Sequence, residues 1–451
     1  MEINPSKMDM ETADLNPTEW FQKFIEISRE KFELSRKSSD DRVRSIDVDE
    51  YDYQEFEDND DDKKFYINTR KTQYGLCMTR MAPLFASHPR LEKICKDWKN
   101  EFLPSGFTKY TCTFSININD HSVDELHGKA NDLEYLINFF GRNLTYLDVT
   151  EYPYSEIMPI INANCPNLET FYIKFRDIMS QDFENCFSNM SHLKTLKIYW
   201  QCENSTLPMT LAKSFEKIGE TLKVLYLLCI LERTNFFSPD SLASVFPRLI
   251  ALNFLSIRNF ELSQLFLQSI GEIKNLADLR LHSFWPEKHS MFDTRINMYP
   301  IGNLKNLEKL EIDFDYGVRD ELLINLGKNA KKLKNLQIVG THITDTGMRA
   351  IDNLQELVYF YLGSRTATNE FITDESIRCL FNKNLKFMKL IHCIKITDKG
   401  VSELLENLPN LFSLYITNTK VTDRTVIRIY KLKDPGEKPR IVYDDEPCDY
   451  Y

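Results

Sequence analysis

The chain has 451 residues, of which 42% are hydrophobic and 27% charged, with a formal net charge of −11. Residues 1–62 carry 20 acidic and 8 basic side chains, which leaves 47 acidic and 48 basic in the rest, so the body offers no general positive field for nucleic acid. The longest apolar run, Val224–Leu231, is eight residues, well short of the ~20 that a membrane-spanning helix needs.

The opening stretch, Met1 to Trp20, is polar and acidic and does not read as a signal peptide. Ten cysteines without a single C-x-x-C pair fit a reducing compartment, hence cytoplasm or nucleus. Residues 1–64 read as an acidic, largely disordered head, with one helix expected over 17–37, where Trp20, Phe21, Phe24, Ile25, Ile27 and Phe32 lie among charges. Asp47 to Asp62 holds ten acids and no Lys or Arg. Such a run repels itself and stays extended, as a solvated linker or as an acidic docking tail.

Residues 65–106 read as helical. Met78, Met81, Leu84 and Phe85 recur at helical spacing, and after His88-Pro89 a second helix carries Leu91, Ile94, Cys95, Trp98 and Phe102. A strand follows over 107–118, where Tyr110, Cys112, Phe114, Ile116 and Ile118 alternate with polar residues. It is expected to cap the first edge of what comes next, with a first outer helix over 121–141.

From Leu144 onward the motif L-x-x-L-x-L, with other apolar residues in some copies, occurs eleven times. Its copies begin at Leu144, Leu168, Leu193, Leu222, Leu252, Leu276, Leu307, Leu333, Leu357, Leu385 and Leu411. The mean period is about 27 residues, inside the leucine-rich-repeat window. One such unit cannot bury its own apolar face and must stack on its neighbours. The predicted fold is therefore an α/β leucine-rich-repeat solenoid over 107–443, with an inner parallel sheet and helical patterns of 10–14 residues outside. The longest insertion runs from Phe284 to Pro300, Arg440–Tyr443 reads as a closing strand, and 444–451 is a tail.

Later repeats carry Ile343-Thr344-Asp345, Ile372-Thr373-Asp374, Ile396-Thr397-Asp398 and Val421-Thr422-Asp423. The branched residue should plug the core, the Thr should cap a new helix, and the Asp should sit where the helix dipole favours negative charge. With Leu390-x-x-Cys393-x-x-Ile396-Thr397-Asp398, and Cys165 at the entry to an earlier strand, this part resembles the cysteine-containing class of leucine-rich repeats common in F-box proteins.

Leu91-x-x-Ile94-Cys95-Lys96-Asp97-Trp98, placed just before the array, resembles the second half of an F-box. The family's opening Leu-Pro is absent. The resemblance implies that Met78, Met81, Leu84, Phe85, Leu91, Ile94, Cys95 and Trp98 contact a Skp-type adaptor, and through it a cullin. The competing reading makes Ile94, Cys95 and Trp98 the core of a plain N-terminal cap.

The residue between the last two apolar positions of each repeat should face the concave side. In order these are Asp148, Tyr172, Lys197, Tyr226, Ser256, Arg280, Glu311, Gln337, Tyr361, Lys389 and Tyr415. Tyr359, Tyr361, Phe387, Lys389 and Tyr415 are expected to converge into one substrate-binding patch, because exposed aromatics beside a charge are what binding hot spots are made of. β propensity alone also favours Tyr in such places. No glycine-rich phosphate loop occurs, and His282 and His289 have no third ligand in view, so neither cofactor nor metal is expected. Cys165 and Cys393 read as small core residues rather than nucleophiles. The expected function is that of a non-catalytic substrate receptor of a cullin-RING ubiquitin ligase of the Skp–cullin–F-box type, with no nucleic-acid or membrane partner. The alternative is a repeat scaffold or inhibitor with no ubiquitin role.

Overall fold

The computed structural model describes residues 109–111, 133–134, 137–138, 141–150, 152, 154–174, 179–200, 207–229, 240–260, 262–282, 296–364, 367–432 and 439–443. All fall in one unit of the chain, Phe65–Pro447. The expectations for the head, the F-box-like segment, most of the 121–141 helix and most of the Phe284–Pro300 insertion lie outside these residues.

Each of the eleven repeat motifs makes one strand, and four further strands join them. In chain order they are β1 (Lys109–Thr111), β2 (Tyr146–Val149), β3 (Thr170–Lys174), β4 (Thr195–Trp200), β5 (Val224–Cys229), β6 (Phe254–Arg258), β7 (Asp278–His282), β8 (Lys309–Ile312), β9 (Asn335–Ile338), β10 (Tyr359–Gly363), β11 (Asn369–Thr373), β12 (Phe387–Ile391), β13 (Cys393–Lys395), β14 (Ser413–Tyr415) and β15 (Arg440–Val442). Thirteen of them form one sheet, in sequential order apart from β11 and β13, which pair with each other in a small sheet of their own. Every pairing is parallel. The predicted capping strands are both present, β1 at one edge and β15 at the other.

The reason lies in the period of two along a strand. Within each motif the three apolar positions are buried, as in Leu276, Leu279 and Leu281, and the alternate positions stay half-exposed in most, the small Ser256 and Ser413 being buried. The chain is therefore a leucine-rich-repeat solenoid, with one face of the sheet in the core and the other open. Cys165 and Cys393 are buried free thiols, and burial pushes each pKa up to about 12, which keeps them protonated at neutral pH.

The outer segments differ from expectation. Among the described residues, nine helices of four to ten residues are described in full, with short 3-10 turns among them. They are α1 (Ile157–Asn164), α2 (Leu207–Phe215), α3 (Asp240–Ala243), α4 (Gln264–Gly271), α5 (Asp320–Asn329), α6 (Asp345–Arg349), α7 (Asp374–Arg378), α8 (Asp398–Asn407) and α9 (Asp423–Leu432). Pro247 and Pro300 open two of the 3-10 turns, where a missing N–H leaves no bond unmade.

The Ile-Thr-Asp signature does more than cap helices. Thr344, Thr373 and Thr397 cap α6, α7 and α8 by accepting from the N–H two residues on. Each helix-opening Asp also reaches across to the next repeat. Asp345 accepts the N–H and hydroxyl of Thr373 at 3.1 and 3.0 Å, Asp374 those of Thr397 at 2.7 and 2.6 Å, and Asp398 those of Thr422, both at 2.7 Å. Asp320 starts the series by binding Thr344 in the same way. Gly347 and Gly400 face Asp320 and Asp374 so closely that a Cβ would collide with the carboxylate. A second ladder runs along the strand entries. Asn167, Asn275, Asn306, Asn384 and Asn410, each just before a repeat's first leucine, donate to a carbonyl of the preceding repeat at 2.6–2.9 Å.

Two outcomes follow from this packing. Leu310→Ala should lower unfolding free energy by about 2–5 kcal/mol in urea titration, the usual cost of a large-to-small change in a core that cannot collapse. Burial raises the Asp398 carboxyl, but the N–H of Thr422 and the hydroxyls of Thr422 and Thr425 outweigh it and hold its pKa below the ordinary value. A lowered folded-state pKa contributes stability above the unfolded pKa of ~3.9 and loses it as pH falls through the folded value. The protection of α9 amides against hydrogen exchange, taken relative to the intrinsic rate at each pH, should therefore fall as acid protonates Asp398. In Asp398→Asn that protection should already be lower at pH 7 and depend less on acid.

Candidate binding face

The half-exposed face of the sheet carries its side chains in straight rows, because the ladder runs in register from strand to strand. The eleven positions expected on the concave side, from Asp148 on β2 to Tyr415 on β14, are direct partners across every adjacent pair. Neighbouring strands lie about 4.8 Å apart, so each row is a continuous line of side chains.

At the C-terminal end the structure brings the predicted patch together. Tyr361, Lys389 and Tyr415 share one row and Tyr359 and Phe387 the row beside it. The Lys389 ammonium lies 4.7 Å from the Tyr415 ring centroid, and the Tyr359 and Phe387 rings are 6.5 Å apart. Phe412 extends the patch, with its ring 5.7 Å from Phe387 and 63% of its surface exposed, against 37% for Phe387. Sequence reasoning missed Phe412, since it falls in a spacer position just before β14. An aromatic residue in the first spacer of the motif was the available signal.

A second group lies at the other end. On one row Lys197 sits between Tyr172 and Tyr226, and its ammonium is 5.6 and 5.8 Å from those rings and 4.7 Å from Tyr199 on its own strand. Tyr146 meets Tyr172 edge-on at 5.5 Å, Phe254 lies 4.7 Å from Tyr226, and the Arg280 guanidinium lies 5.1 Å from Phe254. Lys174 reaches within 6.0 Å of Tyr199. Burial, then the Asp148 carboxylate and Tyr199, raise the Tyr172 pKa, so its hydroxyl stays a donor. Tyr172, Lys197, Tyr226 and Arg280 lie in the row expected from the sequence, and Tyr146, Tyr199 and Phe254 of the flanking rows complete the band.

Between the two groups the face is rich in carboxylates. Arg280 holds Asp278 through two bonds of 2.9 and 3.1 Å, and Lys309 lies 3.6 Å from Glu311. His282 is 3.0 Å from Asp313 and 3.8 Å from Glu311, and His342 is 3.2 Å from Asp315. Among the described residues no group of three or more His, Cys, Asp or Glu is arranged to hold a metal ion. His289, the sequence partner of His282, lies outside those residues, as do all eight expected adaptor contacts: Met78, Met81, Leu84, Phe85, Leu91, Ile94, Cys95 and Trp98. No described helix is long and apolar enough to cross a membrane.

No family model matches the chain. It is 23% identical over 313 residues to the Caenorhabditis elegans protein named "Putative RNA-binding protein EEED8.10", an alignment covering 63% of this chain. The chain spans 41% of that relative's length. Among solved structures, it is similar to an internalin (inlF) from Listeria monocytogenes, at 17% identity and a TM-score of 0.44, covering 70% of this chain and 83% of that one. It is also similar to a chain of the yeast Rad7 and Elc1 complex, at 16% identity and a TM-score of 0.30, covering 82% and 97%. The repeat architecture of this chain rests on its own thirteen-stranded parallel ladder.

Proposed function

We propose that the chain is a non-catalytic substrate receptor of a cullin-RING ubiquitin ligase, acting in cytoplasm or nucleus. The segment 76–102 holds a Skp-type adaptor, and the open sheet face holds a protein substrate. Its contribution to the reaction is proximity, the positioning of a target lysine near a charged ubiquitin carrier. The observation that carries the ligase part is the placement of Leu91, Ile94, Cys95 and Trp98, at F-box spacing, immediately before a repeat array. The part concerning substrate is supported by the in-register row of Tyr361, Lys389 and Tyr415, flanked by Tyr359 and Phe387. Aromatic side chains held on a rigid sheet lose little conformational entropy on binding.

One observation favours a second reading, an RNA-binding face. The Caenorhabditis elegans relative carries RNA binding in its name, and Tyr172, Tyr199, Tyr226 and Lys197 are residue types that stack bases and meet phosphates. The protein reading is preferred because sequence-independent RNA affinity comes from a basic field, and the chain beyond residue 62 has 47 acidic and 48 basic side chains.

A pull-down tests the proposal. The wild type should capture a Skp-type adaptor, and a deletion of residues 76–102 should not. Tyr361→Ala with Tyr415→Ala should lose the cognate protein while keeping the adaptor and the melting temperature, since both side chains point away from the core. A wild type that never captures the adaptor leaves a repeat scaffold or inhibitor as the function.

A further inference from the structure

The band on β2–β7 is centred on one cation. Its central cation, Lys197, is surrounded by three tyrosine rings and has no carboxylate at salt-bridge distance among the described residues. Cation–π contacts hold the ammonium in place but do not cancel its charge. The two carboxylates of the band are committed elsewhere. Asp148 accepts the N–H and hydroxyl of Thr150 at 3.0 and 2.7 Å, and Asp278 is held by Arg280. Lys174 adds positive charge in the adjacent row, on β3.

We propose that the open face over β3–β6 is a docking site for a short acidic peptide segment of a partner protein, with Lys197 meeting its carboxylates. This rests on the reading of the sheet as a protein-binding face and names the chemistry of what binds. The argument is charge complementarity. A fixed cation partly stripped of water by aromatic neighbours gains more from an anion than a solvated surface lysine does. The rings of Tyr172, Tyr226 and Phe254 give apolar side chains on the same peptide a surface to cover. From β3 to β6 is three strand spacings, about 14 Å, which an extended peptide crosses in about four residues.

The ends of the site set its polarity. Beyond Arg280 the face turns acidic at Glu311, Asp313 and Asp315, so carboxylates continuing past β7 would meet like charge. The bound segment therefore carries its acids over β3–β6 and neutral or basic residues toward β8. Single-stranded RNA fits less well. The rings contact one another and the cations instead of presenting free stacking faces.

A selection from a random 12-residue phage-displayed library, run on the full chain as wild type, Lys197→Gln and Lys197→Glu, decides the matter. Wild type should enrich peptides with a cluster of Asp or Glu, and both variants should lose that enrichment while melting at the wild-type temperature. A fluorescein-labelled peptide from the pool should bind Lys197→Glu at least tenfold more weakly, and should bind Tyr361→Ala with Tyr415→Ala as it does wild type. Neutral or basic peptides in the pool, or equal pools on all three proteins, would overturn the proposal. So would labelled oligo(U) that binds more tightly than the best acidic peptide and is lost on Lys197→Glu. A wild type that enriches no peptide while still capturing its substrate through Tyr361 and Tyr415 removes the acidic site alone. Failure of adaptor capture removes the ligase reading and leaves the acidic site standing.

Discussion

Everything in this array depends on the burial of one repeat's leucines by the next. Leu279, Leu310 and Leu336 are fully buried, but each is covered only because the neighbouring strand carries its own apolar residue at the same register. An isolated repeat has no such cover, so the units fold together or not at all. The same constraint fixes register. A slip of one residue would turn every leucine to the open face and every Tyr, Lys and Glu into the core. The straight rows of the open face are thus a by-product of how the hydrophobic core is built.

Polar ladders reinforce that stacking at the two places where backbone groups lack strand partners. At the strand entries the asparagines satisfy carbonyls one repeat back. At the helix starts the Asp320, Asp345, Asp374 and Asp398 carboxylates satisfy both the N–H and the hydroxyl of the next Thr. An Asp there serves two ends at once, because its own helix N-terminus also favours negative charge. Gly347 and Gly400, with Ser376 bonding to Asp345 at the corresponding site, show how strictly the space around these carboxylates is held.

The open face divides by charge along the array. A tyrosine–lysine band comes first, then paired carboxylates and histidines around β7–β9, then the aromatic patch of β10–β14. A partner lying along the face meets three chemistries in a fixed order, and like-charge contact penalises the wrong alignment. A face of mixed sign is better suited to choosing a partner and its direction than to gripping any polyanion.

Apart from β11 and β13, the sequence by itself determined the strand positions, the two capping strands and the row that carries Tyr361, Lys389 and Tyr415. All of these follow from a local period of two and a repeat of about 27 residues. It also foretold the buried Cys165 and Cys393, since their positions in the repeat are apolar ones. It overestimated the length of the outer helices, because helical periodicity does not separate an α-helix from a short helix followed by a 3-10 turn. The carboxylate ladder, the exposed Phe412, and the meeting of Tyr146, Tyr172, Lys197, Tyr199, Tyr226 and Phe254 were decided only by tertiary structure. Their partners lie one repeat away, 23–31 residues along the chain, and repeats of unequal length place them side by side only after the leucines have set the register.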